Sequence, residues 1–197
     1  MEHQLLVNPR MIRRRRSRSS GAGFTLVELA AVVAIIGILA VLAVTSYRKY
    51  ITHSKITEAQ SVISAIRIAQ EDYRSETGKY ANVSDSTYCP GTPTYQKVWG
   101  WKADCPAAAT TAQPSMGSLP VHIDGPVLFG YKTSAGPDSG TFAAPADTPG
   151  TMWTNVAGHP GPWYAVVAKG ILAANGGQTI LVGSSFTNNI ALLDNIE

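Results

Sequence analysis

The first eighty residues divide sharply by polarity. Residues 1–23 are polar and basic, whereas no position from Leu29 to Tyr47 carries a charge. That run is apolar on every side, the pattern of a helix surrounded by lipid or by other apolar helices. After Tyr47-Arg48-Lys49-Tyr50 the pattern changes. Ile56, Ala59, Val62, Ile63, Ile66, Ala69 and Tyr73 recur at spacings of three and four, while Lys55, Glu58, Arg67, Glu71 and Arg74 fall largely on other faces. This is the apolar stripe of an amphipathic helix. Gly78 supplies its stop. A continuous helix from Phe24 to Thr77 is expected, about 54 residues and roughly 80 Å long.

The remainder reads differently. Pro90, Gly91, Pro93, Pro106 and Pro114 punctuate residues 81–125, and Ala107 to Ala112 is an alanine-threonine stretch, so a long irregular connection is expected. Strand candidates follow at Val127–Lys132, Trp163–Ala168 and Thr179–Ser184, with a weaker one near Asn189–Leu193. Asn175-Gly176-Gly177 suits a hairpin turn between two of them. The economical fold is α+β, with three or four antiparallel strands laid against the second half of the helix. The expected boundaries are a leader at 1–23, an apolar helical part at 24–46, an amphipathic part at 47–78 and a globular part at 79–197. Within the last, the connection covers 79–125 and the sheet 126–197. No internal repeat is evident.

Glu28 is the anomaly in this pattern. A carboxylate near a bilayer core costs roughly 2.5 to 3.5 kcal/mol on insertion scales, so it calls for a partner. One alternative is that Glu28 merely snorkels to the interface. The basic leader bears on topology. Arg13, Arg14, Arg15, Arg16 and Arg18 precede Gly21-Ala22-Gly23, and by the positive-inside rule they hold the N-terminus in the cytoplasm. A nucleic-acid patch is the other reading of these arginines. An ordinary secretory signal is cut after its apolar core. Here the small residues lie before it, so a cut after Gly23 would leave the apolar helix on the mature chain. Met11 is a second possible start.

Gly23-Phe24-Thr25-Leu26-Val27-Glu28, followed by Val33-Ala34-Ile35-Ile36-Gly37-Ile38-Leu39-Ala40, resembles the cleavage and methylation motif of type IV pilins and of the related pseudopilins of type II secretion. The resemblance covers roughly residues 21–80. It implies that a prepilin peptidase cuts after Gly23 and methylates the new amine of Phe24. It also implies that Glu28 pairs with the N-terminal amine of a neighbouring subunit during assembly. Buried together in an apolar filament, a carboxylate and an ammonium satisfy each other, whereas either alone would be costly. The implied fold is the pilin stalk and head. The chain departs from many pilins at Thr45, where they carry proline, so a straighter helix is expected here.

Charge narrows the function classes. The leader holds six arginines and one acid, a charge of +5 in a chain whose total is +3, which leaves −2 on residues 24–197. A mildly acidic mature chain gives no case for nucleic-acid binding. Cys89 and Cys105 are the two cysteines. Export would place them in an oxidising compartment, where a bridge between them is expected to be worth roughly 3 kcal/mol. Two free thiols are the alternative. Zinc is not expected, because no Cys-x-x-Cys pair or nearby histidine completes a ligand set.

No catalytic pattern stands out. His3, His53, His122 and His159 are scattered, and there is no Gly-x-Ser-x-Gly elbow, phosphate loop or His-Glu-x-x-His. Asp124, Asp138 and Asp147 fall in loops, where a solvated or turn-forming role is the default. Some pilins and pseudopilins bind calcium in an acidic loop, but the matching Gly170–Gln178 stretch contains no acid, so no metal or cofactor is expected. Trp99 and Trp101 suit either a lid on a small core or, less economically, a carbohydrate platform.

The expected function is that of a non-enzymatic structural subunit, a pilin or minor pilin of a type IV pilus. Its partners would be other pilins in a helical filament, the prepilin peptidase and the inner-membrane assembly platform. It would sit in the inner membrane before assembly and in a surface pilus, or a periplasmic pseudopilus, afterwards. The rivals are a type II secretion pseudopilin and a membrane-anchored extracytoplasmic binding module.

Overall fold

The computed structural model describes residues 23–83, 87–95, 97–101, 105, 115–137, 142–145, 147–153 and 161–194. The leader arginines, the Ala107–Ala112 stretch, Asp138 and His159 lie outside these residues. The chain divides into two units, Met1–Thr45 and Ser46–Glu197. Helix α1, Leu26–Thr77, belongs to both.

In the first unit, α1 carries leucine, isoleucine, valine and alanine on all sides, and these side chains are exposed. The helix is long and apolar enough to cross a membrane. Thr45 is helical, and its Oγ1 donates to the Leu42 carbonyl at 2.9 Å. The backbone ladder therefore continues through the position where a proline would have interrupted it.

In the second unit, the expected stripe of α1 is the buried one, namely Ile56, Ala59, Val62, Ile63, Ile66 and Ala69. Gln70 is buried beside them. Its side-chain amide donates to the Ala81 carbonyl at 2.8 Å and accepts from the Ala81 N–H at 2.9 Å, so both polar ends are satisfied. The helix stops at Gly78, which adopts φ +76° and donates its N–H to the Arg74 carbonyl at 2.8 Å. A left-handed residue at this position closes the last turn, and glycine takes it without a Cβ clash.

The sheet has four antiparallel strands in the order β1 (Gly130–Gly136), β2 (Trp163–Ile171), β3 (Gln178–Ser184) and β4 (Thr187–Asp194). All four differ at their ends from the sequence expectation, β3 only by starting one residue earlier, at Gln178. β1 begins at Gly130, because Val127 instead forms an isolated bridge with Trp99. β2 and β4 run longer than expected, since their ladders with β1 and β3 continue past the most apolar residues. The β2–β3 turn uses Gly176 at φ +82° and an Asn175 side chain that accepts from the Gly177 N–H at 2.9 Å.

The sheet lies against the second half of the helix as expected, and its other face is covered as well. Tyr131, Tyr164, Val166, Ala168 and Leu181 pack with the α1 stripe. The alternate residues Trp163, Ala165, Val167, Ile180 and Val182 pack with Trp153 and with Phe142, Met152 and Phe186. A 3₁₀ turn at Gly150–Trp153 brings this second layer. Burial on both faces explains why Trp163–Ala168 reads as a continuous apolar run rather than an alternating one.

The irregular connection closes the free edge of β1. Cys89 and Tyr131 exchange two backbone hydrogen bonds, at 2.8 and 2.7 Å, and Thr133 N–H donates to the Val83 carbonyl at 2.8 Å. Cys89 is bonded to Cys105, with the two Cα atoms 5.7 Å apart.

Candidate processing and assembly segment

The segment Gly23–Glu28 begins just ahead of the first turn of α1. Thr25 is the residue before the helix, and its carbonyl accepts the first helical bond from Leu29 N–H at 3.1 Å. The Thr25 hydroxyl oxygen accepts from the Glu28 N–H at 3.2 Å. In return the Glu28 carboxylate accepts from the Thr25 N–H at 2.9 Å and from the Thr25 hydroxyl at 2.7 Å. This is a capping box, in which two donors left over at a helix start are satisfied reciprocally. The negative charge also sits at the positive end of the helix dipole.

Sequence reasoning missed Thr25. The signal was present, since Thr-Leu-Val-Glu is the Ser/Thr-x-x-Glu pattern that precedes an apolar helix. The capping bonds offset part of the cost of carrying Glu28 into an apolar setting. They occupy one carboxylate oxygen, Oε2. Phe24 is 88% exposed, and open space surrounds the Cα of Gly23. The peptide bond between them is therefore unshielded by the rest of the described chain.

The other singled-out residues lie in the second unit. Trp99 packs its ring on Gly91, where a Cβ would come within 2.8 Å of it, and Lys97 Nζ lies 3.9 Å over the same ring. Trp101 sets its edge on Tyr131 at a centroid distance of 6.0 Å and donates its Nε1–H to the Val121 carbonyl at 3.1 Å. Both rings are partly buried and pack against the core.

Asp147 corrects one expectation. It is not a solvated loop residue. It accepts from Lys132, whose side chain is 5% exposed, and from the Tyr88 hydroxyl. Burial opposes its ionisation, but these two donors outweigh that and hold the carboxyl below its ordinary range. The same environment pushes the Tyr88 phenol up, through burial first and the neighbouring carboxylate second. Asp124 does stay exposed, with His122 at 2.8 Å. Among the described residues, no group of three or more His, Cys, Asp and Glu could hold a metal ion.

Residues 18–44 match the prokaryotic N-terminal methylation motif. The chain thus carries the signature that type IV pilins and pseudopilins share, on a long apolar helix followed by an antiparallel sheet. That signature indicates a structural subunit rather than an enzyme. No curated protein and no solved structure matches the chain.

Proposed function

We propose that the chain is a structural subunit of a type IV pilus, a pilin or minor pilin. It is cut after Gly23, methylated at the Phe24 amine and assembled through its N-terminal helix. The observation that carries this reading is the methylation motif at residues 18–44, leading into the apolar part of α1. Before assembly the helix anchors the chain in the inner membrane with its basic end in the cytoplasm. Head-to-tail contacts that do not close then generate an open filament. A pseudopilin of type II secretion is the rival that shares the same segment. Loss of protein export on deletion, with surface filaments intact, would favour it.

In this reading Glu28 has two tasks in sequence. In the single chain it caps its own helix through Thr25. In the filament its carboxylate receives the Phe24 ammonium of a neighbour. Three variants separate the tasks. Glu28→Gln keeps the cap, because glutamine also completes a capping box, but removes the charge. Thr25→Ala removes the cap and keeps the charge. Glu28→Ala removes both. If charge pairing drives assembly, Glu28→Gln and Glu28→Ala both lose sheared filaments, while Thr25→Ala keeps most of them. Wild-type filament yield from Glu28→Gln would sink the pairing.

Processing is read directly from mass. Intact-mass analysis of protein from sheared filaments should give a chain beginning at a methylated Phe24. A retained leader, with the protein confined to membranes, would favour an anchored binding module instead.

A further inference from the structure

The apolar part of α1 gives way abruptly to one turn of a different kind. Tyr47, Arg48, Lys49 and Tyr50 follow one another directly, and all four are exposed, the two tyrosines by 65% and 71%. With about 3.6 residues per turn, four consecutive positions point to every side of the helix. A protein neighbour touches one side of a helix, whereas a plane that the helix crosses meets all of them. The residue types are those of a boundary between hydrocarbon and water, where tyrosine rings sit at headgroup level and long cationic side chains reach toward the phosphates. The run before the turn has a matching length. Leu29 to Thr45 carries no charge, and these residues rise by roughly 26 Å as a helix, close to the ~30 Å of a hydrocarbon core. Among the described residues, none of the four side chains takes part in a hydrogen bond or an ion pair. No acid lies between Glu28 and Glu58 in the sequence, so Arg48 and Lys49 have no adjacent counter-charge along α1.

We infer that the Tyr47–Tyr50 turn binds anionic phospholipid headgroups in the leaflet opposite the leader, with the Arg48 guanidinium and the Lys49 ammonium donating to lipid phosphates. The inference rests on the membrane stage of the filament reading and names the ligand that holds the chain there. A guanidinium takes phosphate oxygens through paired hydrogen bonds, and an ammonium takes them as a point charge. Two adjacent cations without a nearby acid favour a lipid of net negative charge over a zwitterion, which brings a cation of its own. The turn also changes what removal of the leader does. Before the cut, Arg13, Arg14, Arg15, Arg16 and Arg18 outweigh Arg48 and Lys49, and the orientation follows the leader. After a cut at Gly23, Arg48 and Lys49 are the only cationic side chains in residues 24–50. The processed helix is then held from its outer end, and no arginine has to cross the bilayer when it moves outward into a filament.

The test reconstitutes the full chain into vesicles of phosphatidylcholine and phosphatidylglycerol in equal amounts. After gentle detergent extraction, mass spectrometry identifies the lipids that stay bound. Phosphatidylglycerol should be enriched, and Arg48→Gln/Lys49→Gln should reduce the enrichment by on the order of tenfold. Lys79→Gln, which removes an exposed cation far along the helix, should leave it unchanged. Equal enrichment in the wild type and the double variant would overturn the inference, because the leader arginines would then account for the bound lipid. Equal losses from Lys79→Gln and from the double variant would overturn it too, as a general effect of net charge. If the double variant does not insert, the depth of the turn decides. The native cysteines are bonded to each other and no other is free, so a fluorophore on Ser46→Cys labels one site. Spin labels on lipid headgroups should quench it more strongly than spin labels at the ends of the acyl chains. The reverse order would overturn the inference while leaving the membrane anchor in place. A chain that does not float with the vesicles at all would overturn both the anchor and the inference.

Discussion

Lys132 sits on β1 with its ammonium against the Asp147 carboxylate and 5.1 Å from the centre of the Tyr88 ring. The pair ties the loop that ends in the 3₁₀ turn Gly150–Trp153 to the outer face of the sheet. Breaking such a pair leaves a buried charge without compensation, which costs more than the pair itself contributes. Asp147→Asn should therefore destabilise the head by about 2–4 kcal/mol, less than a fully buried pair would because the carboxylate is partly solvated. Lys132→Met in the Asp147→Asn background should recover much of that loss, since the stranded charge is gone. Urea unfolding of the full chain in detergent measures both. A double variant no more stable than the single one would show that the loop is held by its aromatic contacts instead. The pH dependence follows from the same pair. The folded carboxyl titrates below its unfolded value, so its contribution is complete above the unfolded carboxylate range. It is lost as pH falls through the lower folded value. Asp147→Asn should flatten the acid limb of the stability profile. An unchanged acid limb would count against this assignment.

At the scale of elements, the close approach of α1 to β3 depends on one missing side chain. A Cβ at Gly183 would lie 2.7 Å from Cγ2 of Ile63 and 3.3 Å from Cδ of Arg67. The β3–β4 register also shifts between Val182 and Ser184, where a small residue eases the irregular backbone. Gly183→Ala should cost about 1–3 kcal/mol, because Ile63 is fully buried and has nowhere to move. Thermal unfolding would show it, and a neutral result would mean that the helix can shift on the sheet. The helix itself was legible in the sequence because its period is strict and its stop is a glycine. The strands were legible as apolar runs, but their ends were not. Those ends are set by ladder partners such as Gly130 with Lys169 and Ile171 with Gln178, and a run of residues does not announce its partner. The second layer on the sheet was illegible for a similar reason. Phe142, Met152 and Trp153 are separated by loop residues without a period, and only their convergence on Trp163 makes them core. In the candidate segment Glu28 was conspicuous because charge is rare there. Thr25 was not, because a hydroxyl beside an apolar run looks ordinary until its hydrogen bonds to Glu28 are seen.

At the scale of the whole molecule, the two units draw on different surroundings. Every residue of the two core clusters lies between Ile56 and Leu193, within the second unit. The apolar residues from Leu26 to Val44 contribute to neither, and they remain exposed. Burying surface that the fold leaves open is work for a bilayer or for neighbouring helices, not for the head. A chain beginning at Ser46 should therefore lose the membrane and filament properties and keep the fold. It is expected to be soluble without detergent. Its thermal midpoint should lie within a few degrees of the full chain's, because no core contact is removed. Its disulfide should form as before, because Cys89 and Cys105 lie together within the unit. Circular dichroism and thiol titration of the truncated chain provide the check. A molten or aggregated product would show that the first half of α1 supports the head as well as anchoring it. A folded monomer that no longer enters filaments alongside the intact chain would assign assembly to residues 24–45 and display to the rest.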